Sequence, residues 1–408
     1  MLAVAALVVT VASVACAPAE SQALRFSTWG SLDEIATLKP LLAEFERQNP
    51  DVPVELIHIP DEYPHKIRLM AASRKMPDVL FMESQILPGF ANRGVLRDLT
   101  PYLEADAELT RDAFYRPVME AMSWKGTLYG IPRDLSNLVM FYNKRLFDEA
   151  GVPYPEAGWT YEDMVAKAKR LTHGDQFGVG FAPYPLYWLP YLWSDGGDLF
   201  DAERRRSTLL EPESLAALKR YRDLRFTHRV APTEAQVGNA RMSQLFAQGK
   251  LAMMVGGRWV VPGFRKKLDF AWDVAPFPRG KAGSIVDADA SGWCISATST
   301  QPDKAWRLIR FLASKKAISA FTESGLIVPS RPDVAESPAF LAGTPASSRV
   351  FLDVIDSARP TPTTPSYDEI QYELIDSLGP AWNGEEALEE ALKPIVKRID
   401  ALLQEESH

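Results

Sequence analysis

The residues able to do chemistry in this chain gather at the ends of its apolar runs. In "LRFSTWGSLDE", residues 24–34, Leu24, Phe26 and Thr28 alternate with Arg25, Ser27 and Trp29, the period of a strand. Trp29, Gly30 and Ser31 close that run. An indole offers a broad face and one N–H donor. A glycine lets the backbone turn and be approached closely. A serine hydroxyl caps the helix that follows, whose first N–H groups are free of intrahelical partners. In "MPDVLFMES" the run ends on Glu83 and Ser84, a carboxylate and a hydroxyl. An aromatic face beside a few placed polar groups is the make-up of a small-ligand site. Core packing of Trp29 and turn capping by Glu83 are the alternatives.

The elements that must position these residues read as β-α-β-α-β. Ser31 and Glu34 form an S-x-x-E capping box ahead of Ile35, Leu38, Leu41, Leu42 and Phe45 at helical spacing. "NPDVP" stops this helix, "VELIHI" is the second strand, a helix spans about 63–74, and "MPDVLFMES" is the third strand. That alternation predicts an α/β fold with a parallel sheet covered on both faces, where ligands bind beyond the carboxyl ends of the strands. Further on come a hairpin around Gly126, a polar kink from Pro132 to Asn137 and the strand "LVMFYN". Thr160 caps another helix with Asp163 three residues on. An aromatic loop, "FAPYPLYWLPYLWSDGGDLFD", is followed by helices near 212–228 and 239–249, the strand "KLAMMVGG", and "DASGWCISATS" before a helix at 302–314.

With 408 residues the chain has room for two cores. A net charge of −8 without a basic stripe argues against a nucleic-acid partner. There is no G-x-S-x-G, no phosphate-binding loop and no dinucleotide fingerprint, "GVGFAP" lacking the third glycine. The five histidines are scattered, none paired at metal-ligand spacing, so no metal and no cofactor are expected. Residues 1–15, "MLAVAALVVTVASVA", are apolar and uncharged, too short to span a bilayer but suited to a signal peptide. Cys16 follows at once, then a small polar linker to residue 23, an order that resembles a bacterial lipoprotein signal. No Lys or Arg precedes the apolar run, and Ser13 stands where that signal usually carries Leu. The only other cysteine, Cys294, reads as a small buried strand residue, so disulfides add nothing to this fold.

Six segments, in order along nearly the whole chain, carry a resemblance. "FERQNPDVPVEL", "YGIPRDLSNLVMFYNKRLFDEAGV", "GWTYEDMVAKAKRL", "FAQGKLAMMVGGRWV", "DVAPFPRG" and "GWCISATSTQPDKAWRLIRFL" resemble matching passages of the extracellular solute-binding proteins of carbohydrate ABC importers. That family includes the maltose- and glycerol-phosphate-binding proteins. The resemblance implies a two-lobed periplasmic-binding-protein fold with an interdomain cleft and hinge crossings. Lobe one would comprise residues 24–133 plus 290–328, and lobe two 134–289 plus 329–408. It implies a monomer that hands its ligand to ABC permease subunits, meets the membrane through a lipid anchor at Cys16 only, and is no enzyme.

It also implies further site residues. Asp134 lies in the first crossing, where the family often has a polar ligand contact. Gly257 and Trp259 match its G-x-W segment, the glycine letting a ligand approach the backbone. Gly292 and Trp293 return into lobe one near the cleft, and Arg331 follows the "VPS" crossing. Of Tyr187, Trp188 and Trp193, at least one would line the cleft; the expected ligand set includes both tryptophans. Ten Trp and thirteen Tyr suit the C–H faces of a carbohydrate. A glycerophosphodiester stays open through Arg133, Arg258 and Arg331. A glycosidase, using a carboxylate pair among Glu83, Asp134 and Asp195, is the reading of another class.

Overall fold

The computed structural model describes residues 23–238 and 240–406. The leader and Cys16 lie outside the described residues. The strands, in chain order, are β1 (Leu24–Thr28), β2 (Val54–His58), β3 (Val79–Glu83), β4 (Ser123–Trp124), β5 (Thr127–Leu128), β6 (Gly130–Ser136), β7 (Val139–Asn143), β8 (Phe177–Val179), β9 (Leu251–Gly256), β10 (Trp272–Ala275), β11 (Asp289–Ile295) and β12 (Val328–Pro329). Two sheets carry the architecture. One has six strands in the order β12-β6-β11-β3-β1-β2, the other four in the order β10-β7-β9-β8.

The start of the first sheet follows from the alternating and apolar runs. β1 pairs in parallel with β2 and with β3, Leu24 opposite Val54 and Phe26 opposite Val79. The connection from β1 to β2 is the helix Leu32–Gln48, whose Ile35, Leu38, Leu41, Leu42 and Phe45 are buried. β11 then joins β3 antiparallel, and β6 joins β11. The stretch from Pro132 to Asn137, expected as a kink, is instead mostly strand. Pro132 is accommodated where the β11–β6 register shifts between Ser291 and Gly292, so its missing N–H disturbs the ladder only locally.

The chain leaves the first sheet at Ser136, enters the second at Val139, and comes back from Ala275 to Asp289. The return runs beside a third passage: Ala288 donates its N–H to the Arg359 carbonyl and Arg359 to that of Val286. Asn137 Nδ2 donates to the Phe351 carbonyl at 2.6 Å, tying the first passage to the segment that precedes the third. After β12 the helices Pro332–Ala335 and Pro338–Leu341 pack against Lys315–Glu323 on the first-sheet side. By Ser347, whose hydroxyl donates to Asp273 of β10, and Phe351, which packs on Phe141 of β7, the chain lies against the second sheet. The segment read as an aromatic loop contains the helix Pro185–Ser194, apolar on nearly every side because it is enclosed by the second core.

Candidate functional site

Between the two sheets lies a cavity of about 1160 Å³. Its first-lobe wall is built from strand ends. β1 delivers Trp29, half-buried, with its ring 4.5 Å from Phe81 and 5.0 Å from Tyr63, centroid to centroid. Tyr63 is fixed in turn by a 2.7 Å hydrogen bond with the Ser27 hydroxyl. Gly30 has φ 118°, a backbone that favours glycine, and a Cβ there would lie 2.4 Å from Glu34 Oε2. Gly30 makes the turn but does not line the cavity; Ser31 does, while accepting the Glu34 N–H.

The expected capping box is only half formed. Glu34 does not reach back to the helix start; its carboxylate pairs with Arg133. Arg133 Nε donates to Asp134 Oδ2 at 2.6 Å, and the Asp134 Oδ1 accepts the Ser291 N–H at 3.2 Å. Burial pushes the Asp134 carboxyl up, and Arg133 pulls against that shift.

Glu83 closes β3 and opens onto the cavity. Its side chain is exposed to the cleft, yet the protein walls crowded around the strand end make its charge harder to solvate than in open water. Together with the carboxylates of Asp289, Asp134 and Asp368, that pushes its carboxyl up to about 7. Ser291 is the register partner of Glu83 on one side and of Asp134 on the other. Cross-strand partners share a face, so the two carboxylates flank Ser291. Ser84 lines the cavity and accepts the Ala290 N–H at 3.1 Å. Asp289, also at the cavity, accepts from Gln85 Nε2 and the Thr361 hydroxyl, both at 2.7 Å.

The second-lobe wall supplies aromatic faces. Tyr184 and Tyr187, three residues apart at the start of their helix, both reach the cavity. Trp259 reaches it from the turn after β9. Gly257 has a role other than the expected one. A Cβ there would stand 1.8 Å from the Trp259 ring, so the glycine makes room for the indole rather than for a ligand.

Several expected contacts are corrected. Trp188 and Trp193 are buried in the second core, their indole N–H groups bonded to the Pro183 carbonyl and to Asp198 Oδ1. They lie on the core side of the helix whose Leu186 and Tyr187 line the cavity. Trp293 is buried in the first core, 6.0 Å from Phe81, and Gly292 is pressed against β6, where a Cβ would lie 2.3 Å from the Ile131 carbonyl oxygen. Arg331 turns to Asp333 and the Ala313 carbonyl, outside the cavity. Asp195 is held by Arg220 at 2.7 Å, also outside it.

Sequence reasoning missed Glu34, Asp289, Ser291, Gln85 and Trp382 as lining residues. Ser291 was legible as the neighbour of Gly292 in the returning strand. Glu34 was masked by its fit to a capping box, and Trp382 lies on a C-terminal helix that no motif marked.

Two α/β layers joined by several chain passages, with a polar and aromatic cavity between them, define a two-lobed solute-binding protein. The chain belongs to the bacterial extracellular solute-binding protein family, whose model it matches over residues 41–345. That membership places it outside the cytoplasm. It is 25% identical over 386 residues to a galactooligosaccharide-binding protein of Bacillus subtilis, covering 89% of this chain and 87% of the relative. It superposes with a TM-score of 0.88 at 25% identity on an ABC substrate-binding protein from Listeria monocytogenes in complex with cycloalternan, covering 93% of this chain and 98% of that one. The GacH receptor of Streptomyces glaucescens, solved unliganded and with acarbose, gives 0.84 at 25% identity, covering 94% and 98%.

Proposed function

We propose that the protein captures a sugar or oligosaccharide in the interlobe cleft and delivers it to the permease of an ABC importer. The observation that carries this is that Trp29 from one wall and Tyr184, Tyr187 and Trp259 from the other face into one cavity, which also offers Glu83, Asp134, Asp289 and Ser291. Flat rings suit sugar C–H faces; carboxylates and hydroxyls suit sugar hydroxyls. At about 1160 Å³ the cavity exceeds the roughly 300–1,000 Å³ of ordinary small-ligand pockets, which leaves room for more than one ring. The galactooligosaccharide, cycloalternan and acarbose named for its relatives agree with a larger saccharide.

A glycerophosphodiester is the weaker reading. Arg133 is engaged by two carboxylates, Arg258 by Ser348 and the Phe340 carbonyl, and Arg331 by Asp333. Hydrolysis is weaker too, since Asp134 is committed to Arg133 and Asp195 stands off the cavity. We place the protein as a monomer, as its family resemblance implies, tethered through a lipid on Cys16, as the leader sequence suggests.

A melting-temperature screen of oligosaccharides, monosaccharides and glycerophosphodiesters tests the reading, because a ligand at 100 times its Kd adds about 2.7 kcal/mol of stability. One saccharide class should raise the melting point. A glycerophosphodiester raising it while every sugar fails would overturn the sugar reading, and cleavage of a bound oligosaccharide would overturn the binding role. Fatty-acid labelling that persists in Cys16→Ser would overturn the anchor.

A further inference from the structure

Glu34, Arg133 and Asp134 are each less than one tenth exposed, and all three border the cleft. The Arg133 guanidinium joins them: Nη1 pairs with Glu34, while Nε and Nη2 each lie 2.6 Å from Asp134 Oδ2. The guanidinium also lies 4.2 Å from the ring centre of Phe81 and 5.2 Å from that of Phe321. Phe81 in turn holds the Trp29 ring at 4.5 Å. One buried cation thus backs both a carboxylate and an aromatic face of the first-lobe wall.

We infer that Arg133 is a positioning residue for ligand capture, acting through Asp134 and, by way of Phe81, through Trp29. This rests on the reading that the cleft takes a carbohydrate. Asp134 Oδ2 is taken by the two Arg133 nitrogens, whereas Oδ1 accepts only the Ser291 N–H and keeps its second lone-pair site for a donor in the cleft. The Arg133 contacts and the Ser291 bond hold that remaining site in one direction. Without the arginine, a carboxyl this buried takes a proton and becomes a donor, the wrong partner for an accepting role.

The charges around Asp134 leave that task to Arg133. Glu34, on the helix Leu32–Gln48, and Glu83, on the far side of Ser291, are both acidic. Asp289 on β11 is acidic and held by Gln85 and Thr361. β12 contributes Val328 and Pro329, and the helix Lys315–Glu323 contributes Phe321 to the guanidinium. Among these groups Arg133 is the one cation.

The test compares the wild type with Arg133→Met and Arg133→Lys. Calorimetric titration with the saccharide found in the screen is run from about pH 8 to about pH 5, and the Asp134 carboxyl is followed by carbon-13 NMR, its signal assigned with Asp134→Asn. Arg133→Met should lose about tenfold or more in affinity. Its Asp134 midpoint should move to higher pH, and the fall in affinity on acidification should move with it. Arg133→Lys keeps the charge but not the fork, and should recover part of both. Wild-type affinity together with an unmoved Asp134 midpoint in Arg133→Met overturns the inference. So does weaker binding with an unmoved midpoint, which marks a merely structural role. Should Arg133→Met fail to fold, Arg133→Lys is judged by the same two readings. If no saccharide binds the wild type, the carbohydrate reading has failed, and the Asp134 titration of the ligand-free proteins still decides the role of Arg133.

Discussion

Glu34 and Arg133, 99 residues apart in the chain, form an ion pair at the wall of the cleft, each side chain about one tenth exposed. The pair joins the first turn of the first helix to β6, close to the point where the chain leaves the first sheet. Local capping and long-range pairing compete for the Glu34 carboxylate, and the buried arginine wins. An unpaired guanidinium in that place would cost far more than one unmade cap bond.

The pair should be measurable in stability. Glu34→Gln leaves Arg133 with Asp134 as its remaining anion, so the loss should fall short of a fully stranded buried charge. We expect a cost of about 1–3 kcal/mol in urea unfolding. A midpoint within error of wild type would mean that the pair behaves like an exposed one.

Trp29 stacks on Phe81 and Tyr63 yet keeps part of its surface in the cavity. Both of its roles should therefore register. Trp29→Ala should weaken saccharide binding by about 1–3 kcal/mol and cost less stability than the about 3–5 kcal/mol of a full core removal. A full core-sized stability loss with unchanged affinity would make the indole a core element and nothing more.

Gly257 has φ −104°, a backbone open to any residue, so Gly257→Ala tests space alone. The added methyl occupies the place of the Trp259 ring, which must swing away. Affinity should drop by an amount close to that of Trp259→Ala, and the double variant should add little, since both remove one ring from one place. Additive losses would show that the glycine serves the ligand directly.

The parallel start of the first sheet was legible because β1 to β3 are short, apolar and separated by well-spaced helical faces. Trp29, Ser31, Glu83, Ser84, Asp134 and Trp259 line the cavity, and all stand at or beside strand ends or crossings that local pattern marks. Trp188, Trp193 and Trp293 do not, and composition gave no means of separating them. Whether a tryptophan of a buried helix faces a core or a cleft depends on what packs around it. Tyr187 and Trp188 are neighbours with opposite fates. Glu34 and Arg133 were hidden for a related reason: each fits a local role, and their pairing exists only once the sheet has brought their elements together.

Glu83 predicts a pH dependence of stability. Its carboxyl sits at about 7 in the folded protein, above the 4.5 of the free group, so the fold prefers the protonated form. That preference favours folding in full below about pH 4.5 and is lost as the pH rises through about 7. The stability of wild type relative to Glu83→Gln should fall across that window and level off above it. Water in the cleft reaches the carboxyl and limits the amplitude, so the window rather than the size is the signature. A difference that stays flat from about pH 4 to about pH 8 would show that the cleft does not perturb this group.

Closure should depend on contacts made between the lobes. Arg68, on the helix Tyr63–Ala72, pairs with Asp368, on the helix Tyr367–Ser377, and the aspartate side chain is only 14% exposed. Lys266 and Asp33 form a second bridge at 2.8 Å, both more than half exposed. Breaking an exposed pair costs about 0–1 kcal/mol, whereas removing one partner of a more buried pair leaves a poorly solvated charge and costs more, so loss of Asp368 should have the larger effect. Nearby, Gly89 comes so close to the second-lobe side that a Cβ would lie 2.8 Å from the Pro365 carbonyl oxygen. Asp368→Asn should therefore shift the ligand-free protein toward an open form, and Gly89→Ala should do so by wedging. X-ray scattering should show a larger radius of gyration for both without ligand and a return to the wild-type value for Asp368→Asn at saturation. Apparent affinity should fall by the share of closed molecules lost, because the ligand must then supply the closing energy itself. Lys266→Ala should change little. Unchanged scattering of ligand-free Asp368→Asn would show that the pair accompanies closure without holding it.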